Sequence, residues 1–376
     1  MNEPCRREFL PLIPYRKDGG HGYKNLAGRV VVPPRHDYTT RFREGVGQIK
    51  ARRTELERTI FVDHEGKATG QIETADCMDC HEGLISFRDG HSDLSGYATA
   101  EGRIAIEPRY EIARDFRAGT AAVELDGKYG LIDPGGHWIL PPAYRNVIPP
   151  FVGEEILCVS LDCGKATFFD TCGRRLTGNV YDWTVPPSGG LAPFGRLGGE
   201  GRKYGVMDVS GEVVVEPRYD AIESWVVDGV FAAAIATDGN LFWGLATLNG
   251  DWAMPPTKTW IGASCEGLRK VYFGGWQTAD GEITGGKFGY IDGSQEVVIE
   301  PVFDEAGDFE EGFATVDIYL EECPALVDGS DCSELHDSRT GLLTKDRDVY
   351  WTSDDSRSYA DLLLDEQDRL RSRREQ

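Results

Sequence analysis

KYGVMDVSGEVVVEPRYDAI, Lys203 to Ile222, decides the architecture of this chain. An aromatic–glycine pair, Tyr204-Gly205, opens a short apolar strand that ends at Asp208. The chain resumes three residues later at Gly211, runs through the β-branched stretch Val213-Val214-Val215, and stops at Pro217 before Tyr219. An aspartate ending one strand can accept bonds from the backbone N–H groups of the turn. A glycine three residues on permits positive φ, so the stretch predicts a β-hairpin. Proline then ends the ladder pairing.

The pattern recurs. KYGLIDPGGHWILPPAY from Lys128 and KFGYIDGSQEVVIEPVF from Lys287 superimpose on it, except that Gln295 stands where Gly136 and Gly211 stand in the other two. GYATAEGRIAIEPRY from Gly96 keeps the pattern without the aspartate, and weaker copies begin near Gly22, Arg58, Lys165 and Trp243. Six residues beyond the aromatic comes another large ring, Phe116, Trp225 or Phe309, and then a further strand such as Gly312 to Val316. The chain therefore reads as about eight copies of a unit of roughly 37 residues, each with three or four strands. No such unit buries both faces of its own small sheet, so neighbours must stack on one another.

The expected fold class is all-β: tandem β-repeats, most simply a β-propeller of about eight small blades, with an open β-solenoid as the rival. Residues 1–320 are assigned to the array and 321–376 to an acidic extension. In the extension SYADLLLDEQDRLRSRR predicts a short C-terminal helix, acids early and arginines late. Either Glu8 to Tyr15 or the strand at Gly312 to Ile318 can supply the first strand of the first unit.

The aromatic–glycine pairs Tyr129-Gly130, Tyr204-Gly205, Trp243-Gly244 and Phe288-Gly289, with the aspartate, glycine, valine–isoleucine run, proline and tyrosine that follow, resemble the bacterial WG-repeat family. The resemblance covers roughly the first 320 residues and implies a β-rich repeat protein with no common chemistry.

Charge limits the partners. The formal net charge is -23, which disfavours phosphate-backbone ligands and favours a basic protein partner, with no nucleic acid and no membrane. Its distribution is uneven, about +6 over the first sixty residues and about -14 from Glu300 onward. Prolines and charges interrupt the start, MNEPCRREFLPLIPYRKDGG, and no apolar run is long enough to span a bilayer, which predicts a cytoplasmic protein.

Chemical constellations are few. Cys77-Met-Asp-Cys80-His81 has the spacing of haem attachment, which needs an exported chain. As a zinc site, Cys77, Cys80 and His81 lack a second spaced pair of ligands, so buried thiols are the simpler expectation and no cofactor is assigned. The periodic Asp63, Asp133, Asp170, Asp208 and Asp292 are explained by turn formation rather than acid–base work. No nucleophile elbow, phosphate loop, dinucleotide fingerprint or calcium loop occurs in its required context.

Trp138 and Trp252, at one equivalent position, and Trp225 at another are expected in the core. Trp276 lies in RKVYFGGWQTADGEITGG, an insertion before Lys287, and insertions in repeat proteins map to binding faces. Trp276 with Tyr272 or Phe273 is therefore the candidate partner contact. The function expected is a non-enzymatic protein-binding repeat scaffold, one form of which is a bacterial immunity protein neutralising a toxin effector. The alternatives are a propeller-type hydrolase or lyase with acids and histidines at an axial funnel, and a zinc-dependent binding module.

Overall fold

The computed structural model describes residues 11–50, 58–73, 76–150, 153–199, 201–257, 260–274, 276–278, 283–319, 338–354 and 357–375. Within them the chain forms nine small antiparallel sheets and one helix, a β-propeller arrangement of nine blades, close to the number expected. Each sheet is a meander of strands adjacent in sequence. The fourth, for example, pairs Ile112–Ala113, Ala121–Leu125, Lys128–Ile132 and Trp138–Tyr144 in that order. A solenoid coil would instead send successive strands into different sheets, so blades are the arrangement found.

Contacts divide the chain into two compact units, one of residues 1–164 and 169–174, the other of 165–168 and 175–376. In both units apolar residues of one sheet pack on the next. In the first, Tyr97, Ile106 and Tyr110 of the third sheet share a cluster with Phe116, Ala121, Val123 and Ile132 of the fourth. In the second, Val206, Val215 and Tyr219 of the sixth sheet join Val226, Phe231, Ala233 and Ala246 of the seventh. Burial between repeats is the driving force that the sheets' small size demands.

Two devices add direction to this packing. Where tyrosine follows the repeat's glycine, its hydroxyl donates to a carbonyl of the next unit: Tyr23 to Thr40, Tyr97 to Arg114 and Tyr290 to Gly307, at 2.9, 2.6 and 2.7 Å. Each ring also meets the edge of Phe42, Phe116 or Phe309, a favourable aromatic geometry. In the Glu-Pro-Arg-Tyr segments, the guanidinium of Arg109 donates to the hydroxyl of Tyr110 and to the carbonyl of Gly136 in the following turn. Arg218 does the same toward Tyr219 and Gly250.

The predicted turns are found. The carboxylates of Asp63, Asp133, Asp170, Asp208 and Asp292 each accept the backbone N–H four residues on, at 2.8–3.1 Å. Gly66, Gly136, Gly173 and Gly211 all have positive φ, and Gln295 is forced to 71° in their place.

Several expectations are corrected. The array does not end at 320, because Ser338–Thr344 and Val349–Trp351 complete the ninth sheet beside Phe313–Tyr319 and Glu305–Ala306. This ninth unit keeps Gly341 but carries Thr344 where others have aspartate and Arg347, at φ 73°, where others have glycine. Phe313–Tyr319 thus belongs to the ninth sheet. The first sheet begins at Ile13–Lys17, and residues 1–10 lie outside the described residues. The core position equivalent to Phe116 and Phe309 is held by Val226, 4% exposed, rather than by its neighbour Trp225. Trp138 is 40% exposed: it lies on an outermost strand and turns one edge onto Tyr110 of the preceding repeat.

The C-terminal helix, Tyr359–Glu375, is capped at its start by reciprocal bonds between Ser358 and Asp361. Tyr359 and Leu362 are buried against the eighth and ninth sheets, and the Tyr359 hydroxyl accepts the N–H of Glu300 at 2.6 Å. Among the described residues no helix is long and apolar enough to cross a membrane.

Candidate functional site

One end of each meander carries the turn between its first and second strands. In most repeats this is a two-residue hairpin with both residues at positive φ, as in Glu44-Gly45, Glu82-Gly83, Ala118-Gly119, Glu266-Gly267 and Glu311-Gly312. The leading glutamates do not point idly into water. Glu44 accepts the N–H groups of Glu82 and Gly83 at 2.9 and 3.0 Å, and Glu82 accepts that of Gly119 at 2.9 Å. In the second unit Glu266 accepts the N–H of Gly312. Each carboxylate thus pins the turn of the next repeat, and Ala118 ends the first run.

Opposite charges pair at the same end, Arg43 with Asp79 and Lys270 with Asp308, and the His81 ring stands beside Asp115, each at 3.5 Å. Burial holds Asp79 above the usual carboxylate range, against the pull of Arg43. Burial does the same to Glu223, which lies near Lys270 and Asp308. The Lys270 ammonium stands 5.5 Å above the ring of Trp260. These groups are held in pairs from repeat to repeat, an arrangement that fixes turns and sets a local charge pattern.

Cys77 and Cys80 lie on the strand Asp76–His81, 8% and 3% exposed, and both sit in the apolar cluster of Phe61, Ile72, Ile85 and Phe87. Residues three apart on a regular strand face opposite sides; a register shift between them against the neighbouring strand brings both inward. Burial, then the nearby Glu44 charge, pushes the Cys80 thiol up to about 12. It therefore stays protonated at neutral pH, the opposite of a reactive thiolate. His81 turns instead to Asp115. No group of three or more metal-binding side chains is gathered among the described residues.

The predicted contact trio is split. Tyr272 is interior, 6% exposed, with its ring 4.7 Å from Phe288 and its hydroxyl accepting the N–H of Gly286. These interactions remove it from a partner-facing role. Phe273 packs partly buried against the cluster around Trp243 and Ile261. Trp276 begins the strand Trp276–Thr278, and the placement of its side chain lies outside the described residues. The insertion hairpin is not seated on its own sheet. Gln277 and Thr278 pair with Leu241 and Asn240 of the seventh sheet, and the hairpin's other strand is Ile283–Thr284.

The opposite end of the meanders carries the connection between second and third strands, and here the second unit differs from its own repeat pattern. In the fourth sheet these strands are five residues each, joined at Asp126-Gly127. In the sixth and seventh they are eight residues each: Leu191–Gly198 with Gly201–Asp208, and Val230–Thr237 with Asn240–Thr247. The eighth has the insertion at this same connection, between Leu268–Phe273 and Lys287–Asp292. The ninth is lengthened there too, between Phe313–Tyr319 and Ser338–Thr344, so four consecutive repeats are longer at one kind of connection. At the sixth, Leu197 is 65% exposed, the highest value among the large apolar residues described. Leu197 pairs across the ladder with the exposed Arg202. In the sequence this stretch is GRLGGEGRK, whose glycines carry little strand propensity.

Meander sheets repeated in this way, coupled end to end by side chains that reach the following repeat, define a β-propeller-type repeat protein. Five segments, residues 22–51, 96–129, 129–162, 204–236 and 288–318, match the profile of the family described as WG containing repeat. The chain is also similar to solved structures. Kluyveromyces lactis Hsv2 is 11% identical, with 69% of this chain and 89% of that one covered at a TM-score of 0.36. The dihydro-heme d1 dehydrogenase NirN is 12% identical, with 92% and 74% covered at 0.43. The WD40 β-propeller domain of Doa1 is 11% identical, with 67% and 90% covered at 0.28. No curated protein matches the chain.

Proposed function

We propose that this chain is a non-enzymatic protein-binding scaffold, and that its partner is a basic protein drawn by the acidic surface and held by the lengthened hairpins of the second unit. The observation that carries this reading is the elongation of four consecutive second-to-third connections, with Leu197 exposed at one of them. Repeat proteins present partners on such connections while the sheets hold them rigid. The recurring carboxylates support the same view. Those of the turns and of Glu44, Glu82 and Glu266 are engaged in structure. The net charge of -23 supplies long-range attraction to a basic surface. A cytoplasmic immunity protein that holds a bacterial toxin effector inactive is the concrete form of this proposal.

The test is capture from the host's own extract by the full chain at physiological salt, followed by identification of what remains bound. A basic protein is expected, with an association rate that falls as salt is raised. A bound partner whose association ignores both ionic strength and Leu197→Asp, or a chain that retains nothing, overturns the reading.

A further inference from the structure

The hairpin of the sixth sheet leaves an edge open that the same chain closes elsewhere. Gly201–Asp208 pairs along its whole length with Leu191–Gly198, but its partner on the other side, Val213–Tyr219, begins pairing only at Tyr204. Gly201, Arg202 and Lys203 therefore have a strand on one side and, among the described residues, none on the other. The seventh sheet has the same geometry, since Asn240–Thr247 meets its outer strand only from Trp243. There the vacant edge at Asn240 and Leu241 is filled by Thr278 and Gln277 from the following repeat. Counted back from the aromatics Tyr204 and Trp243, Gly201 and Arg202 are the counterparts of Asn240 and Leu241. The repeat after the sixth has no strand to offer, because its own connection is the tight turn at Asp238-Gly239.

We propose that residues 201–203 are a strand-addition site, which takes an extended segment of a partner protein carrying a carboxylate opposite Arg202. Main-chain groups along an open edge supply affinity, and side chains alternating on the added strand supply selectivity. The occupant's acidity complements Arg202, whose charge within the chain reaches Asp182. Arg202 is exposed, and its stem lies over Gly195, where a Cβ would come within 2.8 Å of it. The side chain directly across the ladder from Arg202, on the same face, is the exposed Leu197. No proline interrupts residues 201–203, whereas Pro108, Pro142, Pro217 and Pro301 punctuate the outer strands elsewhere. The site goes beyond the scaffold reading and does not depend on the partner's overall charge.

The probe is a fluorescein-labelled synthetic peptide of alternating glutamate and valine, titrated into the full chain, with a lysine-for-glutamate peptide and an N-methylated peptide as comparators. Saturable binding of the acidic peptide is expected, with slowed amide exchange at Arg202, which shares the outward phase of Tyr204 and Val206. N-methylation on the pairing edge weakens it by about tenfold or more, because the main-chain donors are lost. Arg202→Glu, checked for an unchanged unfolding midpoint, reverses the preference toward the lysine peptide. The proposal is overturned if the acidic peptide does not bind, if N-methylation leaves binding intact, or if protection appears elsewhere. It is also overturned if sedimentation shows that this hairpin instead joins two copies of the chain.

Discussion

The guanidinium of Arg109 donates to the carbonyl oxygen of Gly136 at 2.7 Å, from the last strand of one repeat to the turn of the next. Arg218 and Gly250 repeat the contact in the second unit. A hydrogen bond from a charged donor is worth more than a neutral one, although the partial exposure of these arginines reduces its value. Arg109→Ala and Arg218→Ala are each expected to cost about 1 kcal/mol, nearly additively because the sites lie in different repeats. Urea unfolding of the two single variants and the double variant checks this, and unshifted midpoints in all three would refute the coupling.

Gln295 sits at φ 71° where Gly211 and Gly136 hold the same turn position. A left-handed conformation costs a side-chain-bearing residue about 1–2 kcal/mol, offset in part by the entropy that glycine loses on folding. Gln295→Gly is expected to raise stability by about 0.5–1 kcal/mol. The reverse change at Gly211 is expected to cost more than this gain, since a Cβ there would meet the Tyr181 hydroxyl at 2.2 Å. Thermal midpoints of the two variants test both signs.

Hydrogen bonds hold the turn aspartates below the usual carboxylate range, from Ser210 to Asp208, from Ser294 to Asp292, and from the backbone of His137 to Asp133. Their folded values lie below the unfolded value of about 4, so their contribution is complete above that pH and fades as pH falls through the folded values. Asp208→Ala and Asp292→Ala should therefore be less stable than the parent at pH 7, with the gap closing as pH falls through the lowered folded values. The buried Asp79, Asp317 and Glu223, raised above their ordinary values, act with the opposite sign. A gap independent of pH between 7 and 2 would show that the bonds to the carboxylates do not matter.

Legibility in the sequence followed how far each residue's job extends along the chain. The turn aspartates were readable because their partners are two and four residues away. The ninth unit was not, because Thr344 and Arg347 replace the two residues that mark the turn, while buried Leu342 and Leu343 preserve the strand. Val226 took the ring's core position because one extra residue separates Tyr219 from the following turn. The glutamates of Glu44-Gly45 and Glu82-Gly83 look like solvated charges, yet their partners stand a whole repeat away. Such contacts have no local signature. Likewise Tyr272, read as a surface ring by its place beside an insertion, is interior because alternation along its strand points it at Phe288.

The arginine clamp has a donor at the end of one repeat and an acceptor in the turn of its successor. A segment copied in tandem would bring both halves of that joint with it and would dock on either neighbour without a newly invented surface. Growth of the array by whole-unit duplication is thereby made easy, while an insertion or deletion of half a unit would leave an arginine facing no turn and a turn facing no arginine.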